Sequence, residues 1–500
     1  MRDAALPDRD ARRTATTVFD RNLVVEAGAG TGKTSLLVER LLVALGAGLA
    51  DASSFAAITF TEKAAAEMRE RLAAGLEELR ALAGGARPDA AKASGRAFAH
   101  LTGERGIAKA DLAPRALSAL VDLDRAKVVT IHGFCSELLR SHPLEAGVVP
   151  GFAVDDGPLY KALLDEAWEE FLRAELGPAA ARGDLWRRLL SEADIGAVRK
   201  AALALAGFGV PAELLKGGGT GPDASGALRA EALRRIAEID AVLSRQKGMT
   251  EGAVAKLGEY RRALALFSDG GAPALRDAIG REEDLGEALR KDPPKANAKL
   301  RVVTPEELEG AARSARRLAR LLATIDDGLA QALVEAAGPF ALDARKRLLA
   351  QGAVSFDAIL SLARDLLRER PAVREEARKR CRMLLVDEFQ DTDPLQYEIV
   401  LYLAGRAGER ERDAYAVPLE PGRLFIVGDP KQSIYRFRGA DYAAFRRAVD
   451  RVVAEGGLEL DLVTNFRSVP AVLGPVNDLF LGSWRASPKQ PEYVAIEAAR

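Results

Sequence analysis

One stretch decides the fold of this chain, and it reads Leu23-Val24-Val25-Glu26-Ala27-Gly28-Ala29-Gly30-Thr31-Gly32-Lys33-Thr34. A short β-branched run ends in a loop of small residues, and an amphipathic pattern follows from Ser35 to Leu42. Small residues let successive backbone N–H groups turn inward around an anion, and a helix that begins near Lys33 adds its positive dipole end. The stretch therefore predicts a strand, a phosphate-binding loop and a helix.

The loop has the spacing of a nucleotide-binding P-loop, with an alanine where the usual pattern has its first glycine. We expect Lys33 to reach the outer phosphates of a nucleotide and Thr34 to bind Mg²⁺. The alternative is a glycine turn that merely joins a strand to a helix. Because strand, Gly-Lys-Thr triplet and helix all agree, the nucleotide site is favoured, and its predicted residues are Ala27, Gly28, Ala29, Gly30, Thr31, Gly32, Lys33 and Thr34.

The composition is that of an ordinary globular protein. The chain has 500 residues, 48% hydrophobic and 29% charged, which predicts two to four domains. No apolar run is long enough to cross a bilayer and no signal-peptide core opens the chain, so we expect a cytoplasmic protein. The net charge is −1, and any nucleic-acid contact must therefore come from local clusters. Two distant cysteines argue against a disulfide framework, a zinc site and an iron–sulfur cluster.

Strand and helix patterns alternate at both ends of the chain, whereas its middle is almost wholly helical. Five apolar runs are candidate strands, and a further segment at 460–463 follows them; the five runs are 23–27, 56–60, 128–131, 383–386 and 424–427. Each run has polar residues at its carboxyl end. We therefore predict an α/β fold with a doubly wound parallel sheet, all motifs at one rim, and a large inserted all-α subdomain.

Two carboxylates follow the run 383–386. Asp387 stands where a P-loop enzyme holds Mg²⁺, and Glu388 beside it can polarise an attacking water. A helix cap and a solvated acid are the alternative, but the P-loop upstream favours catalysis. Gln432 and Arg467 are candidates for contact with the γ-phosphate, and their spacing alone does not separate that role from an ordinary surface position.

A second group of residues suits a single strand of nucleic acid, because aromatic rings stack on any base and cations bind phosphates. Tyr435, Phe437 and Arg438 interleave two aromatics with a guanidinium near the rim. An isolated aromatic is more often part of a core, and for Phe134 both interpretations stay open. The full set of candidate strand-binding residues is Phe60, Thr61, Lys63, Thr130, His132, Phe134, Tyr435, Phe437 and Arg438.

Six blocks resemble motifs I, Ia, Ib, II, III and IV of superfamily 1 helicases of the UvrD/Rep type; they are 27–34, 57–72, 130–134, 385–392, 427–439 and 465–468. The most specific are Asp387-Glu388-Phe389-Gln390-Asp391-Thr392 and Gly428-Asp429-Pro430-Lys431-Gln432-Ser433-Ile434-Tyr435. Lys431 before Gln432, with Phe437 rather than Trp, is more similar to the RecB and AddA branch than to UvrD itself.

The resemblance implies an ATP-driven motor that moves 3′ to 5′ along single-stranded DNA and unwinds duplex DNA. It also implies work within a nucleoid-associated helicase–nuclease that processes double-strand breaks, with DNA ends as substrate and a partner subunit. ATP and Mg²⁺ are the implied cofactors, with Lys33 and Thr34 on phosphate and metal, Asp387 on the metal, Glu388 activating water, and Gln432 coupling the γ-phosphate to DNA.

The resemblance extends to the nucleotide's other contacts. Arg467 would touch the γ-phosphate and Phe466 would stack on adenine, while Tyr435, Phe437 and Arg438 would line the DNA track. Arg12 falls where the family has an adenine-reading Gln, and we place it among the ATP-binding residues.

By the same resemblance, residues 1–140 and 370–445 would form the RecA-like motor domain 1A, with a small insertion at about 80–125. Residues 141–369 would form a helical 1B-like insertion, and 446–500 the incomplete start of a second RecA-like domain, 2A. Motifs V and VI and a nuclease domain have no counterpart here, so we expect an N-terminal fragment that, in isolation, binds ATP better than it hydrolyses it and has weak or no activity. The alternative function is a nucleotide-gated module that binds single-stranded DNA with little or no turnover; a P-loop NTPase acting on protein or a small molecule is disfavoured by the stacking residues.

Overall fold

The computed structural model describes residues 6–155, 157–178, 180–216, 224–295, 302–435, 439–484 and 490–499. The chain divides into two units, Met1–Tyr160 together with Leu348–Arg500, and Lys161–Arg347. The first unit contains the P-loop stretch and the second is helical.

The strands are β1 (Leu23–Ala27), β2 (Phe55–Thr59), β3 (Lys127–Thr130), β4 (Ala153–Val154), β5 (Ala353–Val354), β6 (Met383–Val386), β7 (Leu424–Gly428), β8 (Leu458–Leu462), β9 (Thr464–Asn465) and β10 (Glu497–Ala498). The first helices are α1 (Arg9–Thr17), α2 (Lys33–Ala47), α3 (Glu62–Ala83), α4 (Ala93–Ala99), α5 (Lys109–Val121), α6 (Ile131–Ser141) and α7 (Pro143–Ala146). The next are α8 (Pro158–Leu176), α9 (Gly183–Glu192), α10 (Ile195–Ala206), α11 (Ala212–Leu215), α12 (Ala224–Leu243), α13 (Glu251–Arg281), α14 (Glu283–Arg290), α15 (Pro305–Ala323) and α16 (Asp327–Ala350). The last are α17 (Phe356–Glu369), α18 (Pro371–Arg380), α19 (Pro394–Ala404), α20 (Tyr442–Ala454) and α21 (Pro470–Ser483).

Six strands form one sheet in the order β3-β2-β6-β7-β1-β8, and every neighbouring pair is parallel. The central strands β6 and β7 are buried along their whole length, as expected of continuous apolar runs covered on both faces. Parallel strands place their carboxyl ends at the same edge of a sheet. The predicted α/β sheet is confirmed, and the segments after β1, β2, β3, β6, β7 and β8 all leave it at one rim.

Helices cover both faces of the sheet. On one face, Leu23, Val25 and Ala27 of β1 join a core to which α2, α3, α4 and α5 contribute their apolar sides. On α3 the buried residues recur at helical spacing, with Met68 and Leu72 in that core. The other face of β1 carries Glu26, which approaches α20.

Arg40 ties three elements of this unit together from inside the core. It is 1% exposed, and its Nη1 donates hydrogen bonds to the carbonyl oxygens of Ala15 (2.6 Å) and Val18 (2.8 Å). Its guanidinium also lies over the rings of Phe19 and Phe425, at 4.2 and 4.3 Å from their centroids. Burial lowers its pKa to about 9. The contacts fix α1, which precedes the P-loop strand, against α2 and β7.

The helical unit has two apolar cores of its own. One is formed by α12, α13, α14 and α15, around Tyr260 and Phe267. The other contains Trp168, Trp186 and Leu189, each at most 2% exposed. Helix α13 bends at Gly271, whose φ of 72° only glycine adopts without strain.

The sheet of the first unit extends past residue 446, where the sequence predicts a second domain to begin. Strand β8 pairs with β1 from Leu23↔Leu458 to Ala27↔Leu462. The chain then leaves the sheet, and β9 pairs with β10 in a separate two-stranded sheet. Likewise the helical unit Lys161–Arg347 is shorter than the predicted insertion 141–369. None of the helices in the described part of the chain combines the length and apolar content that a membrane crossing needs.

Glu26 lies in an acidic group between β1 and β8. Its carboxylate is 3.6 Å from Arg446 of α20, which also pairs with Glu459 at 2.5 Å. The pKa of Glu26 is raised to about 7, chiefly by burial and also by Glu459 and Asp461, while Lys431 opposes them. In the folded protein this carboxyl therefore keeps its proton up to about neutral pH.

We expect Glu26→Gln to stabilise the fold by roughly 1–3 kcal/mol at pH 8, and by less at pH 5. The unfolded carboxyl ionises near pH 4.5 and the folded one near 7, so stability falls as pH rises between these values. Glutamine removes this loss. Urea unfolding midpoints at both pH values measure the effect, with the exposed Glu70→Gln as control. A gain of equal size at both pH values would contradict the assignment.

Candidate functional site

The loop after β1 is built on two left-handed glycines. Gly30 has φ 73° and Gly32 has φ 85°, and α2 begins at the next residue, Lys33. Thr31 closes the loop from within, because its buried hydroxyl donates to the carbonyl oxygen of Gly28 at 2.8 Å. This is the strand, loop and helix that the sequence predicts for a phosphate-binding site.

The segment 464–468 lies directly on this loop. Asn465 Nδ2 donates to the Ala29 carbonyl at 2.6 Å, and the Phe466 backbone N–H donates to the Gly30 carbonyl at 2.9 Å. A Cβ at Gly30 would stand 2.7 Å from Asn465 Nδ2 and 2.9 Å from Arg467 Cβ. Gly30 is therefore required for its conformation and for this close approach, and the backbone of Arg467 lies beside the loop.

Lys33 and Glu388 join the loop to the end of β6. Lys33 Nζ is 2.7 Å from Glu388 Oε2, and the lysine side chain is 12% exposed. Glu388 has φ 51°, the only positive φ outside glycine in the described ranges of the chain. A non-glycine residue in this region costs free energy and is held only where the surroundings fix it. The two predicted chemical groups thus meet although 355 positions separate them in sequence.

Asp387 is the half-buried aspartate of the carboxylate pair. Its backbone N–H continues the sheet by donating to the Ile58 carbonyl at 2.9 Å, and its Oδ1 accepts from the Glu388 N–H at 3.0 Å. The pKa of the Asp387 carboxyl is raised to about 6, chiefly by burial and also by repulsion from Glu388, while Lys33 opposes the rise. A buried carboxylate with a raised pKa is one that a bound cation would stabilise.

The donors fit a magnesium ion. Thr34, on the first turn of α2, and Asp387 offer a hydroxyl and a carboxylate, the hard oxygen ligands that Mg²⁺ prefers. Among the residues that the structure describes, no group of three or more His, Cys, Asp or Glu side chains could hold a metal. Mg²⁺ keeps several waters and binds through one or two carboxylates together with nucleotide phosphates, so this small donor set suits it.

Gln390 connects the rims of β6 and β7. Its side-chain amide donates to Glu388 Oε2 at 2.8 Å and accepts from the backbone N–H of Asp429 at 2.8 Å. It is 2% exposed, and a Cβ at Gly428 would stand 2.7 Å from its Oε1. Gln390 therefore fixes the orientation of Glu388 relative to β7, and glycine at 428 makes room for it.

Gln432 is exposed on the turn that follows β7. Its Nε2 donates to Asp429 Oδ2 at 2.7 Å. The other oxygen of Asp429 accepts from the Lys431 backbone N–H and lies 3.2 Å from Lys431 Nζ. Asp429 thus holds the turn in place beside Gln390. It also positions Gln432, which the resemblance assigns to coupling the γ-phosphate to DNA.

Arg12 and Phe466 meet on the other side of the loop. Arg12 Cζ lies 4.9 Å from the centroid of the Phe466 ring, which belongs to a residue that is 47% exposed. The guanidinium is held by the buried Asp8, at 2.8 and 2.9 Å, and donates to the Thr31 carbonyl at 2.8 Å. Burial alone would raise the pKa of Asp8, but hydrogen bonds from Arg12 and Thr464 outweigh it and lower that pKa.

Some of the side chains predicted to bind DNA are accessible to solvent and others are not. Phe60, after β2, and Tyr435, after β7, stack on each other with centroids 5.1 Å apart and planes inclined by 30°. Thr61 and Lys63 are exposed where α3 begins, and Thr61 caps that helix. The rim thus brings together an aromatic pair and a cation.

Three further candidates follow β3. Thr130 caps α6, and its hydroxyl donates to Glu62 at 2.7 Å. His132 lies edge-on to Phe356 at 5.6 Å. Phe134 is 3% exposed, so its ring packs in the interior and offers no face to a base. Phe437 and Arg438 lie outside the described residues.

Several residues of this site, Gln390, Asp8, Asn465 and Asp429 among them, are not among the predicted ones. Gln390 stands two positions after Glu388, inside a block that the sequence singles out. Asp8 stands four positions before Arg12, a helical spacing for an ion pair, and Asn465 opens the block 465–468. The sequence therefore gives a signal for each of these residues, namely its position within a motif or an ion pair. It gives no signal for the hydrogen bonds that join Gln390 to Asp429, Asp8 to Thr464 and Asn465 to Ala29, because those partners come from distant segments.

A family model described as UvrD/REP helicase N-terminal domain matches residues 8–452. The chain belongs to this family. The match confirms the resemblance drawn from the six motif blocks, and it includes the P-loop, the Asp387–Glu388 pair and Gln432 while ending before Phe466.

Individual relatives of the chain include helicase/nuclease subunits and RecB. The chain is 29% identical over 532 aligned residues to an ATP-dependent helicase/nuclease subunit of Geobacillus kaustophilus, covering 94% of this chain and 39% of that protein. It is 28% identical to the RecBCD enzyme subunit RecB of Escherichia coli, covering 91% and 38%. Identity to the ATP-dependent helicase/nuclease subunit of Desulforudis audaxviator is 31%, covering 92% and 38%. The chain thus spans about two-fifths of the length of these relatives.

Proposed function

We propose that this chain is the ATP-hydrolysing motor portion of a DNA helicase of the RecB/AddA type. It moves 3′ to 5′ on single-stranded DNA, engages DNA ends, and works with a partner subunit in double-strand break repair. The observation that carries the proposal is the 2.7 Å contact between Lys33 Nζ and Glu388 Oε2, because it unites the phosphate loop and the carboxylate pair in one site. The names of the relatives support the substrate.

In the proposed reaction, the N–H groups of residues 28–33 and the Lys33 ammonium bind the outer phosphates of ATP. A phosphate oxygen competes with Glu388 Oε2 for Lys33, so nucleotide binding releases Glu388 from its ion pair with the lysine. Gln390 still holds Oε2 of that carboxylate. Glu388 can then orient the attacking water and accept its proton.

Thr34 and Asp387 would hold Mg²⁺, which when bound neutralises charge that develops on the phosphate oxygens. Arg467, whose backbone lies beside Gly30, would add a cation to the γ-phosphate. Gln432 would link binding of the γ-phosphate to the DNA-binding residues, since only two residues separate it from Tyr435.

On the DNA side, Phe60 and Tyr435 offer ring faces, and Lys63 offers a cation for the backbone. Thr61, Thr130 and His132 would complete the track, together with Phe437 and Arg438, which the resemblance assigns to it. Stacking and phosphate contacts bind single strands without sequence preference, as a translocating motor requires.

A second candidate is a nucleotide-gated module that binds single-stranded DNA with little or no turnover. The same ion pair favours it, because Glu388 cannot act as a base while Lys33 neutralises it. The two candidates share every binding residue and differ only in hydrolysis.

We expect weak ATP hydrolysis that oligo(dT) stimulates and that Lys33→Ala abolishes, because the lysine supplies the charge that binds the outer phosphates. Steady-state hydrolysis with and without oligo(dT), alongside nucleotide binding, makes the measurement. The exposed Lys379→Ala is the matched control and should behave as the parent chain does. Lys33-dependent binding without turnover would establish the second candidate, and a chain that binds neither ATP nor single strands would refute both.

We expect Gln390→Ala to lower kcat for ATP roughly 10- to 100-fold, because Glu388 loses the hydrogen bond that orients it. Nucleotide affinity should change less than about threefold, since Gln390 touches no phosphate-binding group other than through Glu388. The exposed Gln331→Ala should alter neither value. A variant that loses affinity and kcat in equal measure would assign Gln390 to folding alone.

A further inference from the structure

Phe466 presents an aromatic surface next to the phosphate loop. Its backbone N–H is bound to the Gly30 carbonyl, and its Cδ2 lies 4.0 Å from the position of a Cβ at Gly32. The residue remains 47% exposed although a guanidinium lies over its ring. A nucleotide whose phosphates lie on the loop would find this ring as a stacking surface for its base, and stacking is tolerant of base identity.

The guanidinium of Arg12 lies over that ring, and most of its donors are already used. Its Nε and Nη2 donate to Asp8, Nη2 also donates to the Thr464 carbonyl at 3.2 Å, and Nη1 donates to the Thr31 carbonyl. Four of its five N–H groups are thus bound within the protein. A guanidinium also has no acceptor atom.

Asp8, the ion-pair partner of Arg12, is also fully occupied. Its Oδ1 accepts from Arg12 Nε and from the Thr464 hydroxyl, and its Oδ2 accepts from Arg12 Nη2 and the Thr464 N–H. A carboxylate has about four lone-pair sites, and all four are taken. Asp8 is 4% exposed, so it has no free acceptor to offer a ligand.

Recognition of adenine needs an acceptor for its 6-amino group together with a donor for a ring nitrogen, a combination that an Asn or Gln amide supplies. Of the charged pair that the structure describes beside the Phe466 ring, Arg12 offers at most one donor and Asp8 offers no acceptor. We infer that this site binds purine nucleoside triphosphates by stacking on Phe466 without distinguishing the group at C6 of the base. The inference rests on the proposed function, since it takes residues 28–33 as the triphosphate site.

Arg12 has a different role in this arrangement. It links α1 to the loop through the Thr31 carbonyl and to β9 through the Thr464 carbonyl, and it supports one side of the Phe466 ring. Its charge is balanced by Asp8. Arg12 therefore fixes the stacking surface in place but does not read the base.

ATP and ITP are the sharpest pair of probes, because they differ only at position 6 of the base and in the proton at N1. We expect their dissociation constants, measured by calorimetry on the full chain with Mg²⁺, to differ less than tenfold. A site that hydrogen-bonds a substrate group rejects the analogue lacking it by roughly 10⁴- to 10⁵-fold. A preference for ATP of tenfold or more would overturn the inference.

Two variants complete the test. Phe466→Ala should weaken ATP and ITP by the same factor, about fivefold or more, whereas Leu481→Ala, exposed on α21, should leave both unchanged. No loss for either nucleotide, or a loss for ATP alone, would contradict stacking on Phe466. If Lys33→Ala does not impair binding, the triphosphate site itself is wrong; if it does and ATP is still strongly preferred, only the present inference fails.

Discussion

The parallel pairing of six strands is the constraint on which the rest of this site depends. Because all six strands run in one direction, the segments after β1, β2, β3, β6, β7 and β8 reach the same rim, although up to several hundred residues separate them. The order β6-β7-β1-β8 sets the carboxylate pair, the Gln432 turn, the P-loop and the segment 464–468 in sequence along it. The helical unit enters the chain between β4 and β5 and leaves this order intact.

Side-chain contacts then turn the rim into one connected network. Lys33 binds Glu388, Gln390 joins Glu388 to the β7 end, and Asp429 holds Gln432. On the opposite side, Asn465 binds the loop carbonyl of Ala29. A phosphate on the loop would therefore affect groups that follow four strands at once.

Much of this could be predicted from the sequence, because strand, loop and helix have short-range signatures. The helix start at Lys33, the buried run Met383–Val386 and the buried spacing of α3 all follow from local pattern. The left-handed backbone conformation of Glu388 does not follow from local pattern, since tertiary contacts impose it. Pairing of β8 with β1 is likewise a long-range event, which no local pattern around residue 446 indicates.

Phe134 shows the limit of motif reasoning. Its place in a motif favoured contact with DNA as much as burial, and only the packing of α6 puts the ring in the interior. Arg12 is the converse case, because its departure from the family pattern was visible in sequence while its commitment to Asp8 and two carbonyls was not.

The central claim is that Lys33 and Glu388 belong to a single nucleotide site. The most direct measurement is a crystal structure of this chain with Mg²⁺ and a non-hydrolysable ATP analogue. We expect the phosphates on residues 28–33, with Lys33 Nζ moved from Glu388 to a phosphate oxygen and the base on Phe466. An analogue bound elsewhere, with the contact between Lys33 and Glu388 intact, would contradict the claim.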